Sequence, residues 1–239
     1  SRCVLETCMP HLITPGELDA QDQVVLRDLV RFGVLAADQI ARRYGDPSLA
    51  AIRIPFLQDG RVILTWRDTL DGARVYSPTS LGKHLSKVEV DPLTTNERHL
   101  AHDVAVVDLA DYLLTHNPDL EWRTERELRR VLDAIAPPRQ YIYGDNRHRP
   151  DGLLLGRGER VAIELEHSDK FEQRYTRISR WFATEYRLDR VRWYVDQPRV
   201  LRRLREINDQ HGFARDIPVE IEPFPPGVVI RKRPDRFER

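Results

Sequence analysis

An α+β fold in two parts is what the 239-residue sequence predicts. Three observations carry this. Residues 17–82 hold three helix-period segments and then two β-rich runs. From His99 the order changes to a helix, a β-rich middle, and then helix and strand in alternation. Between the two, SKVEVDPLTTNER (86–98) shows neither pattern and reads as a linker. The expected division is an extension over 1–16, a first domain over 17–85, the linker, a second domain over 99–230 and a basic tail over 231–239. Lys and Arg total 38 and so do Asp and Glu. That balance argues against general electrostatic capture of a polyanion and leaves room for a local basic face. No apolar run is long enough to span a membrane and none reads as a signal peptide. Both cysteines, Cys3 and Cys8, lie in the first ten residues. A disulfide scaffold is therefore not expected, and a reducing cytoplasm is the expected compartment. With His11 the cysteines make three potential zinc ligands, one short of a site and at no established spacing.

In order along the chain, LDAQDQVVLRDLVRFG places Val25, Leu26, Leu29 and Val30 at helical spacing, with Gly33 as a stop. ADQIARRYG is a second, short helix, with Asp38 near its positive end and Gly45 after its last turn. DPSLAAIRIPFLQDG is a third, capped by Asp46 or Ser48, started by Pro47 and expected to kink or end early at Pro55. RVILTW and ARVYSP form a hairpin through RDTLDG, and TSLGKHL starts another helix. Three short helices before a hairpin is the order of a winged helix-turn-helix, whose recognition helix enters the DNA major groove. That helix carries one basic residue, Arg53, with Arg61, Arg67 and Arg74 on or near the wing. These four are the candidate DNA contacts of the first domain. An architectural module joining subunits or partners is the other reading.

In the second domain HLAHDVAVVDLADYLLTH reads as a strong amphipathic helix, with His99, His102 and Asp103 at its start. Two histidines are too few for zinc, and His102 is expected to hydrogen-bond near the sheet. LEWRTERELRRVL follows, with Trp122 near a strand end and Glu125 opening a short helix. AIAPPRQYIYGDNRHR is poorly patterned, with a short strand near Tyr141. RPDGLLLGRGERVAIELE is a β-hairpin. Its second strand turns Val161, Ile163 and Leu165 to the core and Ala162, Glu164 and Glu166 to the other face. Asp151 lies at the hairpin's mouth, so three carboxylates converge. Like charges so placed call for a cation, and oxygen donors on a rigid sheet suit Mg²⁺. An edge hairpin with a solvated acidic face is the plainer alternative. In the next helix Phe171, Tyr175, Ile178 and Phe182 form a core stripe. Lys170, Arg174 and Arg177, with Trp181, share the neighbouring face. The three basic residues suit a phosphate backbone or simply a solvated surface. VRWYV is a buried strand, PRVLRRLREINDQHG a helix, and IPVEIEPF and GVVIRKR close the domain as extended segments.

Asp151 followed by Glu164-Leu165-Glu166 on adjacent strands resembles the PD-(D/E)XK nucleases, the restriction-endonuclease-like group. The resemblance implies a mixed sheet flanked by helices. It implies Mg²⁺ or Mn²⁺ held by Asp151, Glu164 and the Leu165 carbonyl, with Glu166 holding a second metal or orienting water, and phosphodiester hydrolysis as the chemistry. Glu125 resembles an acidic residue that some members supply ahead of the hairpin. The sequence departs from the motif at Glu166, which stands where the motif has Lys, and Lys170 is the candidate to restore that charge. Over 17–196 the chain resembles the replication-relaxation family of actinobacterial plasmids and integrative elements. The residues that carry this are HDVAVVDLADYL, WRTERELR, RPDGLLL with IELEHSDK, and RYTRISRWF. His102 matches a histidine of that pattern. The implied role is a DNA-binding accessory factor in plasmid replication or mobilisation, with a relaxase or replication protein as a further partner and a homodimer by analogy of fold. Two readings follow: a metal-dependent nuclease, or a non-catalytic DNA- or relaxase-docking adaptor on a vestigial nuclease fold.

Overall fold

The computed structural model describes residues 12–66, 69–90, 96–129, 148–168, 170, 172–184, 188–211 and 217–232. The side chains of 179–181, 183, 184 and 211 are not among those described. Arg67, Phe171, Tyr141, Cys3, Cys8 and His11 lie outside the described residues, as does the tail beyond Lys232. The fold is α+β, with a three-stranded antiparallel sheet and a five-stranded mixed sheet. The chain divides into two compact units, one ending at Val88 and the other running from Glu89 to Lys232.

The first unit opens with α1 (Ala20–Phe32), α2 (Ala37–Tyr44) and α3 (Pro47–Asp59). Asp19 caps α1 through the Asp22 amide, and Asp22 reciprocates to the Asp19 amide. Gly33 and Gly45 end α1 and α2 in the left-handed conformation, at φ 87° and 71°. Pro55 neither ends nor shortens α3, which runs on to Asp59. Burial of Ile54 and Leu57 on either side of the proline outweighs the lost backbone hydrogen bond. Strands β2 (Ile63–Thr65) and β3 (Val75–Pro78) form the expected hairpin. A two-residue strand, β1 (Leu35–Ala36), adds to the other side of β3; two residues are too few to leave a periodic signal. Helix α4 (Ser80–Ser86) closes the unit.

The second unit begins with α5 (Leu100–His116), β4 (Glu121–Thr124) and a helical segment α6 over 125–129. Helix α5 is not amphipathic in the expected sense: 104–110 is buried without a break, the pattern of a helix enclosed by its own domain. Then come β5 (Gly152–Gly156), β6 (Glu159–Glu166), α7 (Glu172–Thr184), β7 (Arg190–Val195), α8 (Pro198–His211) and β8 (Val219–Pro223). The sheet order is β4-β5-β6-β7-β8, antiparallel as far as β6 and parallel from β6 to β8. Strand β6 is thus the central strand, not an edge. Both of its faces are buried from Val161 to Glu166, and the crossover helices α7 and α8 cover one of them. Ala162 belongs to the main core, with Tyr175, Ile178 and Phe182 of α7 and Val200, Leu204 and Ile207 of α8. That corrects the expected polar assignment of its face: the face carrying Glu164 and Glu166 is the one α7 covers. GVVIRKR adds no strand among its described residues.

Candidate functional site: a buried carboxylate–imidazole cluster

The site lies where β6 outruns β5. Gly152, the first residue of β5, pairs with Ile163, so Glu164, Leu165 and Glu166 continue with β7 alone, opposite Trp193, Tyr194 and Val195. The Asp151 side chain takes over where β5 stops. Its Oδ2 accepts the Leu165 amide at 2.8 Å and its Oδ1 lies 3.0 Å from His102 Nε2 on α5. The Leu165 N–H, and with it the carbonyl of the same residue, therefore leaves β6 on the Asp151 side. Glu164 is 5% exposed, and its Oε1 lies 2.7 Å from His148 Nε2. Glu166 is 1% exposed; its Oε1 accepts from the Ser168 amide and hydroxyl, both at 3.0 Å, and its Oε2 pairs with Lys170. The Tyr175 hydroxyl donates to the Ser168 carbonyl at 3.0 Å and accepts from the Lys170 amide at 3.1 Å. The His167 ring stands 5.8 Å from that of His102.

These groups titrate as a set. Burial alone would raise Asp151, but His102 and the Leu165 amide hold it below the ordinary carboxylate value. Burial works to lower His102; the charge and hydrogen bond of Asp151 outweigh it and carry the imidazole up to about 9. Glu164 is pushed up to about 7 by burial, with the Asp151 charge adding to it and His148 and Lys170 acting against it. His148 is raised, because Glu164 more than offsets its burial. Asp103, beside His102, is lifted by burial to about 7, and Asp151 and Glu125 contribute to the rise. His167 is lowered by burial and by His102.

Asp151, Glu164, Glu166 and Lys170 are therefore brought together, with Leu165 between them. Glu125 stands apart: it accepts from Arg129 at 2.7 Å and contributes to the field at Asp103. Sequence reasoning missed His148, His167 and Ser168. The available signal for His148 was its place two residues ahead of Pro150-Asp151. Of the candidate DNA contacts, Arg53 is turned inward. It pairs with the fully buried Asp22, lies over the Phe56 ring at 4.2 Å and is 3.3 Å from the Glu17 carbonyl. Arg61 and Arg74 are exposed on the first unit, and Arg174 and Arg177 are exposed on α7.

The donor set suits a hard cation in kind, with carboxylates and a carbonyl at one strand edge. It does not fit one in arrangement. Both oxygens of Asp151 and both of Glu166 already have partners within the protein, as does Oε1 of Glu164. Among the described residues no group of three or more His, Cys, Asp or Glu side chains is placed to hold a metal ion. No helix of the described residues is long and apolar enough to cross a membrane. No protein-family model, curated protein or solved structure matches the chain.

Proposed function

We propose that the chain is a DNA-binding accessory protein of a plasmid or other mobile element, and that its nuclease-like second unit serves docking rather than cleavage. One observation carries the reading. Asp151, Glu164 and Glu166 each have a basic side chain of the same chain as partner, His102, His148 and Lys170 respectively. The like-charge repulsion that a metal would otherwise relieve is met internally. The replication-relaxation resemblance supports the setting and gives the partner class, DNA together with a relaxase or replication protein. The test is isothermal titration of wild type and Glu164→Ala with Mg²⁺ and with Mn²⁺, alongside plasmid nicking and duplex binding. The expected outcome is duplex binding by both proteins and nicking by neither.

A second reading, a Mg²⁺- or Mn²⁺-dependent nuclease, is favoured by Glu164 itself. Burial, with the Asp151 charge adding to it, pushes its carboxyl up to about 7 even with His148 in contact, a shift that a nearby cation would oppose. Metal binding that disappears in Glu164→Ala, together with nicking by wild type, would put this reading in place of the docking one.

A further inference from the structure

Helices α7 and α8 connect β6 to β7 and β7 to β8, and both cover the same face of the sheet. Their inward stripes are Tyr175, Ile178 and Phe182 on α7, and Val200, Leu204 and Ile207 on α8, all in one core. The stripes fix what faces outward. On α7 these residues include Gln173, Arg174 and Arg177, and on the first turns of α8 Arg199 and Arg202. Arg199 and Arg203 have contacts within the chain and add charge to the same turns. No described carboxylate is paired with Arg174, Arg177 or Arg202; of the other exposed arginines, Arg123, Arg157 and Arg160 have one, and Arg27, Arg61, Arg74 and Arg98, scattered over other elements, do not. The exposed acids of the two helices are Glu172, at the start of α7, and Glu206 and Asp209, in the later turns of α8. Helix α8 has no acidic residue in its first turn. Its first two turns stack Arg199, Arg202 and Arg203 where the helix dipole is already positive.

We infer that the outward face of α7 and α8, through Arg174, Arg177, Arg199 and Arg202, is a contact surface for the phosphate backbone of duplex DNA. The inference rests on the DNA-binding reading above and locates its electrostatic part. Charge complementarity selects the partner. The arginines recur about 5 Å apart along each helix, on helices packed about 8–10 Å apart. That spread of positive charge suits an extended polyanion better than a single anion. It also gives the protein a phosphate-binding surface independent of α3, whose one arginine is held by Asp22.

The test uses the full chain and a random-sequence duplex, with affinity measured by fluorescence anisotropy over a range of salt concentrations. Arg177→Glu/Arg202→Glu is compared with Arg61→Glu/Arg74→Glu on the first unit. The α7–α8 pair is expected to weaken binding on the order of 10–100-fold at 0.1 M salt, and to flatten the log–log salt slope by roughly two. Thermal unfolding should be unchanged. Should the charge reversals impair folding, Arg177→Gln/Arg202→Gln gives the same slope readout, with a smaller loss. Wild-type binding that the α7–α8 variants leave untouched would overturn the inference and leave the DNA-binding reading standing. Loss only from the first-unit pair would do the same and place the phosphates there. Absence of duplex binding by wild type at any salt would overturn both.

Discussion

Arg53 shows how a residue type can mislead when its partner is distant in sequence. As the lone cation on α3 it reads as a phosphate contact, but Asp22, thirty-one residues earlier, holds it. The Tyr44 hydroxyl donates to the same carboxylate at 2.6 Å, and burial followed by that bond pushes Tyr44 well above its ordinary value. Arg53→Ala would leave Asp22 charged and buried without its cation. It should cost about 3–5 kcal/mol in urea unfolding and leave duplex affinity unchanged among molecules that are still folded. The cluster around β6 makes a pH prediction. His102, Glu164 and Asp103 have folded values above their ordinary ones of 6.5, 4.5 and 3.8, so the stability they contribute is complete at acid pH and is lost as pH rises. The carboxyl contributions fade through about 7 and that of His102 through about 9. Asp151 is depressed and acts in the opposite sense, losing its contribution as pH falls below the ordinary 3.8. Denaturant midpoints should therefore be highest on the acid side of neutral and decline toward pH 9, and His102→Gln should flatten the upper part of that decline.

At the scale of elements, helices bounded by their own caps were legible. The stops of α1 and α2 follow from Gly33 and Gly45, and the β5–β6 hairpin follows from its alternation and its Gly-containing turn. The surroundings of β6 were not legible. Alternation says which residues share a face but not what covers that face, and a Glu under a helix is written with the same letter as a Glu in water. The depth of Glu164 and Glu166 comes from α7, and their partners come from segments 16 residues away and 4 residues away, without periodicity. The neighbouring strand carries a tighter constraint. A Cβ on Gly152 would stand 1.9 Å from Trp122 Cζ2, and Trp122 is 1% exposed. Gly152→Ala must displace the indole or the strand beside Asp151. It is expected to destabilise the second unit by about 1–3 kcal/mol and to weaken the hydrogen bond between Asp151 and Leu165, measurable by urea unfolding and by amide exchange at Leu165.

Over the whole molecule, zero net charge conceals an uneven distribution. The Arg190, Arg192 and Glu220 set on β7 and β8 is balanced within the sheet, while no described carboxylate is paired with Arg174, Arg177 or Arg202 on the outward turns of α7 and α8. Each unit has a core of its own, so the two should melt separately. In scanning calorimetry Arg53→Ala should move one transition and Gly152→Ala the other. A single transition displaced by both variants would show that the units unfold as one. The place where β6 outruns β5 also has an analytical use. In the slot where Pro150 ends the ladder, a carboxylate receives the Leu165 amide, so one backbone resonance is tied directly to the state of Asp151. Its chemical shift and exchange rate form a native label. They should respond to protonation of Asp151, to release of His102, or to any cation that draws on Oδ2, and so report occupancy of the cluster in a protein whose substrate need not be known.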